Sequence, residues 1–213
     1  MYFEDRKDAG KQLAEKLHAY TGREDVIVIA LPRGGVVTGF EVAQALKVPL
    51  DCVMPRKIGA PGRQELAVGA ITQKGEPLFN DEVMEKLSLS PDDVWHVVEQ
   101  EKKEAQRRLR VYRGDRDAVN LSGKTVIVVD DGMATGSTMR AALVTIKHHN
   151  PEKIIVAVPV APRDVLNEIK KEVGEVVCLH VPTYFGGIGA FYRSFEQVDD
   201  EAVVALVQRA QVP

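Results

Sequence analysis

Apolar and polar positions follow two rhythms along the chain. Residues 26–30 (VIVIA), 125–129 (TVIVV) and 154–160 are short, mostly apolar runs rich in β-branched side chains, and 50–54 (LDCVM) and 176–180 (VVCLH) read as further strands. Such runs predict strands buried on both faces, as in a parallel sheet. Between them apolar residues recur at helical spacing. Ala9, Leu13, Leu17 and Tyr20 share one face of a helix over 8–20, with Gly22 as its stop. Phe40, Ala43 and Leu46 mark a helix over 36–46. Met139, Ala142, Leu143 and Ile146 mark another, which ends at Asn150-Pro151 because Pro cannot continue it. Residues 162–173 and 199–210 complete the helices. Strands alternating with helices predict an α/β fold with a doubly wound, mainly parallel sheet. There are no repeats, low-complexity tracts or linkers, so 1–213 reads as a single domain.

Some stretches depart from this rhythm. Residues 67–72 and 78–80 predict a small antiparallel excursion around Lys74-Gly75. Residues 81–118 predict a helical insertion. In it Ser90-Pro91-Asp92-Asp93 is a strong helix start: a Ser cap, Pro at the first position and acids in the first turn, with the helix running to about Arg110. Residues 181–213, an aromatic, Gly-rich loop and a closing helix, form a separate C-terminal region.

Composition narrows the class. Apolar residues make up 45% of 213, which is globular, and a net charge of −3 gives no electrostatic footprint for nucleic acid. Cys52 and Cys178 lie inside strand patterns and read as buried small hydrophobes in a reducing compartment. No apolar run reaches the length of a membrane helix, and the N-terminal MYFEDRKDAG is too polar for a signal peptide. The expectation is a cytoplasmic protein.

The chemistry concentrates in 124–140, KTVIVVDDGMATGSTMR. A buried strand ends in two acids, Asp130 and Asp131. Ala134 then leads into Thr135-Gly136-Ser137-Thr138, which opens a helix. A turn of this kind exposes backbone N–H groups at the positive end of a helix dipole, and is an anion site. Gly136 lets the backbone approach an anion, and the three hydroxyls can donate to phosphate oxygens. Two ionised acids beside a phosphate need another partner. Vicinal sugar hydroxyls are that partner, since a diol donates two hydrogen bonds and carboxylates accept them. The combination predicts a ribose 5-phosphate site outside the carboxyl end of a strand. A plain strand cap followed by an ordinary helix N-cap is the simpler reading. A nucleotide-triphosphatase loop is rejected: Gly123-Lys124-Thr125 has Ala118 where the first Gly should stand, and leads into a strand.

VIVVDDGMATGSTM resembles the diphosphate-sugar signature of type I phosphoribosyltransferases. LPRGGV, RKIGAPG, ELAVGA, VDDGMATGST and FYRSF together resemble a group of bacterial phosphoribosyltransferases of unassigned substrate, over nearly the whole chain. The resemblance implies a pentosyltransferase of nucleotide metabolism, with a helical insertion (81–118) and a small C-terminal hood (181–213). Ribose 5-phosphate would pass from 5-phosphoribosyl 1-diphosphate to an acceptor nitrogen, with pyrophosphate leaving together with Mg²⁺. Asp130 and Asp131 would hold the ribose, with either acid reaching the metal through water, and 134–138 would hold the 5-phosphate. Arg33, Gly34 and Gly35 would take the diphosphate, assisted by Arg56 and Lys57. The partners implied are the diphosphate sugar and a flat heterocyclic base; a homodimer is compatible with the family.

Several assignments stay open at this level. Residues 58–65 resemble the family's mobile catalytic loop. In it Glu65 is either a proton acceptor from the incoming base or a solvated surface residue. Hypoxanthine-type members carry an Asp before Thr-Gly where Ala134 stands, which weakens that assignment. Tyr184, Phe185, Phe191 and Tyr192 either stack on the base or fill a small second core. Arg107, Arg108, Arg110 and Arg113 form a solvated helix face, with Arg110 or Arg113 reaching a phosphate as the sharper reading. Beside the enzyme stand a non-catalytic sensor of the diphosphate sugar or a nucleotide, and a hydrolase of phosphorylated sugars.

Overall fold

The computed structural model describes residues 2–54, 56–71, 75–113 and 119–210. Its main sheet comprises β1 (Val26–Ala30), β2 (Leu50–Cys52), β6 (Thr125–Val129), β7 (Lys153–Val160) and β8 (Glu175–His180), in the order β2-β1-β6-β7-β8. All four pairings are parallel. The period of two divides β1 cleanly. Val26, Val28 and Ala30 face one core, and Ile27 and Ile29 face the other. The first core takes in α1 (Arg6–Lys16), α2 (Gly34–Leu46) and α7 (Asp200–Arg209), through Leu13, Phe40, Leu46, Val203 and Val207. The second takes in α5 (Ser137–Lys147) and α6 (Arg163–Glu172), through Met139, Leu143, Ile146 and Ile169. Helices therefore cover both faces, as the unbroken apolar strands predict. Full burial of a side chain of this size contributes about 1.5–3 kcal/mol.

A second, three-stranded sheet has the order β3-β4-β5: β3 (Arg56–Ala60), β4 (Arg63–Ile71) and β5 (Pro77–Phe79). This is where the structure departs most from the sequence reading. Residues 58–65, expected as a loop, are for the most part the two arms of an antiparallel hairpin in which Lys57 faces Ala70 and Ile58 faces Gly69. The turn at Pro61-Gly62 has Gly62 at φ +71°. Gly69 allows close strand approach, since a Cβ there would stand 2.4 Å from the Leu78 carbonyl oxygen. The hairpin, α3 (Asp81–Lys86) and α4 (Pro91–Arg113) enclose a core of their own around Ile58, Val68, Met84, Val94 and Val98. Asp93 closes the start of α4, its Oδ2 accepting from both the Ser90 N–H and the Ser90 hydroxyl.

At the end of the chain, α7 belongs to the first core, and the Tyr112 hydroxyl donates to Asp200 Oδ1 at 2.5 Å. Among the described residues, no helix is long and apolar enough to cross a membrane. β1 leads sideways to β2 while β6 leads the other way to β7. The segments leaving β1 and β6 therefore diverge, and the crevice between them is where an open α/β sheet places its ligand.

Candidate functional site

β6 delivers Asp130 and Asp131 into that crevice. The Asp131 N–H donates to Asp130 Oδ1 at 2.8 Å. Burial, and then the neighbouring Asp131 charge, push the Asp130 carboxyl well above its ordinary range. Asp131 is engaged by a residue that the sequence reading did not single out. Arg6, the first residue of α1, brings Nε to 2.6 Å from Asp131 Oδ2. The Arg6 Nη1 donates to the Glu196 carbonyl at 2.7 Å, and its guanidinium lies 3.7 Å from the centre of the Phe195 ring. The Tyr192 hydroxyl donates to the Asp131 carbonyl at 2.6 Å. Both chain ends thus close on one acid of the pair.

The turn beyond the acids has the form the sequence predicts. Gly136, at φ +75°, caps α5 in a left-handed conformation that suits Gly. A Cβ on it would also press on Val165 at 3.0 Å. Thr135 Oγ1 and Ser137 Oγ lie 3.0 Å apart, and Thr135 and Thr138 are exposed, as is Ala134. Arg140 braces the turn from its own helix by donating to the Thr135 carbonyl.

The segment after β1 shows a second reason for its glycines. A Cβ on Gly34 would fall 1.9 Å from Asp131 Oδ2, and one on Gly35 would fall 2.8 Å from Asp130 Oδ1. Only bare backbone lets α2 begin against both acids. Arg33 precedes this start, half-buried, with no side-chain bond capping the helix. Arg33 and the paired glycines therefore stand at the same crevice as the acids.

Arg56 and Lys57, on β3, line a cleft of about 440 Å³ together with Gly62, His96, Gln100 and Thr138. The structure thus joins the basic pair to one member of the anion turn. Arg56 is not free there, because its guanidinium is ion-paired with Glu101 of α4. His96, Gln100 and Glu101 escaped the sequence reading. Their signal was the helical spacing that sets 96 and 100, and 97 and 101, on one face. Glu65 lies within β4, but its side chain falls outside the described residues, as do those of Arg108 and Arg113. Arg107 is ion-paired with Glu104, and Arg110 is exposed.

The aromatic loop divides. Tyr192 is buried with Phe3 and Phe195, at ring separations of 5.3 and 4.9 Å, in a small second core. It is therefore not a free stacking face. Phe185 stacks on Phe191 at 5.7 Å, and Phe191 also meets the His180 ring. Tyr184 is fully presented to solvent.

Comparison with known proteins identifies the family. The phosphoribosyl transferase domain family matches residues 3–193. A Mycobacterium tuberculosis protein named "Putative phosphoribosyl transferase" is 42% identical over 208 residues, which cover 98% of this chain and 47% of that protein. The chain thus spans about half the length of the curated relatives it matches. Pig hypoxanthine-guanine phosphoribosyltransferase is 43% identical over a stretch of 49 residues, 23% of this chain and 22% of that one. The crystal structure of a Thermus thermophilus protein, TT1426, superimposes with a TM-score of 0.91 at 38% identity, covering 98% of this chain and 99% of the other. The chain belongs to the phosphoribosyl transferase domain family.

Proposed function

We propose that the protein transfers ribose 5-phosphate from 5-phosphoribosyl 1-diphosphate to a nitrogen of a flat heterocyclic base, releasing pyrophosphate. The observation that carries this reading is the contact of Gly34 and Gly35 with Asp131 and Asp130. It sets the N-terminus of α2 edge to edge with the acids, and the 135–138 turn follows on the same segment. One crevice then offers an anion site for each end of the diphosphate sugar, with acceptors for its hydroxyls between them.

The turn would hold the 5-phosphate through hydroxyls and helix N–H groups. Asp130 and Asp131 would accept from the ribose hydroxyls, and Arg33 with the α2 start would take the diphosphate. Bond cleavage at the anomeric carbon leaves positive charge on the sugar and negative charge on the departing diphosphate. Catalysis is then mostly positioning and charge stabilisation. Lys57, and Arg56 once released from Glu101, supply the mobile positive charge.

Among the described residues no cluster of three or more metal-ligating side chains stands ready. Two adjacent carboxylates, one of them pushed up in pKa by burial and by the other's charge, do fit an ion that keeps its waters and arrives on phosphates. Asp130 and Asp131 would meet Mg²⁺ in that way, and the ion would neutralise charge building on the diphosphate.

The test is to mix the protein with the diphosphate sugar, Mg²⁺ and a panel of nucleobases and to follow pyrophosphate. Base-dependent release supports the transferase. Tight binding of the diphosphate sugar with no release for any base would replace it with the sensor reading.

A further inference from the structure

Arg6 stands at the wrong end of its helix. It is the first residue of α1, where Asp5 caps the helix by accepting from the Lys7 and Asp8 N–H groups. The positive end of a helix dipole disfavours a cation at this position. The compensation comes from 125 residues away, where Asp131 Oδ2 meets Arg6 Nε at 2.6 Å with side chains only 12% and 11% exposed. The guanidinium is held on its other sides as well, by the Glu196 carbonyl and by the Phe195 face. Gly34 closes the same spot from the α2 side, since a Cβ there would collide with both Asp131 Oδ2 and Arg6 Nε.

A part-buried ion pair contributes little to stability compared with a well-packed apolar pair. What this arrangement does fix is orientation. One carboxylate oxygen of Asp131 is committed to Arg6, so the carboxylate has one rotational setting. We infer that Arg6 is a positioning residue for the ribose acids, and that it makes the site selective for ribosyl over 2-deoxyribosyl phosphates. The inference rests on the ribosyl-site reading above. A carboxylate locked in place discriminates between one hydroxyl more and one fewer, whereas a freely turning one adapts to either.

The probes are ribose 5-phosphate, 2-deoxyribose 5-phosphate and inorganic phosphate, titrated calorimetrically. The wild type should prefer ribose 5-phosphate over its deoxy analogue by at least about tenfold, the worth of a hydrogen bond to a charged group. In Arg6→Gln this preference should fall to within about threefold of unity, by weakening of ribose 5-phosphate, with inorganic phosphate affinity unchanged. A general structural role would lower all three affinities together. If Arg6→Gln does not fold, Phe195→Leu, which removes the ring under the guanidinium, should reduce the preference severalfold. An unchanged preference in the folded variant overturns the inference alone. A wild type that binds neither sugar phosphate overturns the ribosyl site and this inference with it.

Discussion

Gly34 lies against Asp131 so closely that a Cβ on it would stand 1.9 Å from the carboxylate Oδ2. An added methyl has no room unless the Arg6–Asp131 pair opens. Overpacking of this kind costs about 1–3 kcal/mol, and each kcal/mol moves Tm by about 2–4 °C in a domain of this size. Gly34→Ala should therefore lower Tm and remove binding of ribosyl 5-phosphates. Thermal melting and titration check both. A variant that melts and binds like the wild type would mean that α2 can retreat from the acids without loss.

Asp130 carries a pH signature. Its ordinary value is 3.8, and burial together with Asp131 holds the folded carboxyl well above that. Below the ordinary value both states are protonated and the site costs nothing. As pH rises, the unfolded chain ionises first, so stability falls until the folded carboxyl has ionised too, and is then level. Asp130→Asn removes this loss. Its Tm should exceed that of the wild type at neutral pH, and the gap should close below about pH 4. Its affinity for ribosyl ligands should fall by about 1.5–3 kcal/mol. Melting curves over a pH series test the sign; identical profiles for the two proteins would remove the burial argument.

Arg56 is held by Glu101 in the structure. On the proposed reading, its charge would reach a departing diphosphate only when that pair opens. Arg56→Ala with Lys57→Ala should slow pyrophosphate release far more than it weakens nucleoside monophosphate binding, because the charge acts on the diphosphate alone. Glu101→Gln should act in the opposite sense and tighten binding of the diphosphate sugar. Equal losses of turnover and product affinity in the double variant would assign the basic pair to general binding.

The Tyr192 hydroxyl is the support under Asp131, donating to its carbonyl at 2.6 Å. Burial keeps the phenol protonated far above its usual range. Tyr192→Phe leaves a buried carbonyl without that donor, at about 1–3 kcal/mol. The variant should melt several degrees lower while its KM for the acceptor base stays within about twofold, since the ring itself is committed to Phe3 and Phe195. A large rise in base KM with an unchanged Tm would return Tyr192 to the stacking role.

What the sequence made legible was local. TVIVV, the paired acids and the Gly136 turn are adjacent in the chain, and each has its own chemical signature, so strand, turn and helix fall where the pattern puts them. The parallel sheet followed from unbroken apolar runs. The hairpin from Arg56 to Ile71 was hidden because Gly59, Pro61 and Gly62 look like a loop, and pairing across the turn supplies the order that local propensity lacks. Arg6 and Glu101 were hidden for a different reason. Each meets its partner across many residues of chain, and nothing in DRKDAG or EQEKK names that partner. Gly34 and Gly35 were noticed, but for the anion alone; their contact with the acids exists only once α2 and β6 are side by side.

On the proposed reading, the crevice between β1 and β6 holds a ribosyl 5-phosphate. The most direct measurement is a crystal structure of the protein with ribose 5-phosphate bound. The phosphate is expected on the turn formed by Thr135, Gly136, Ser137 and Thr138, with the sugar hydroxyls toward Asp130 and Asp131. A phosphate held instead among Arg56, Lys57 and His96, with the turn empty and the acids untouched, would contradict it.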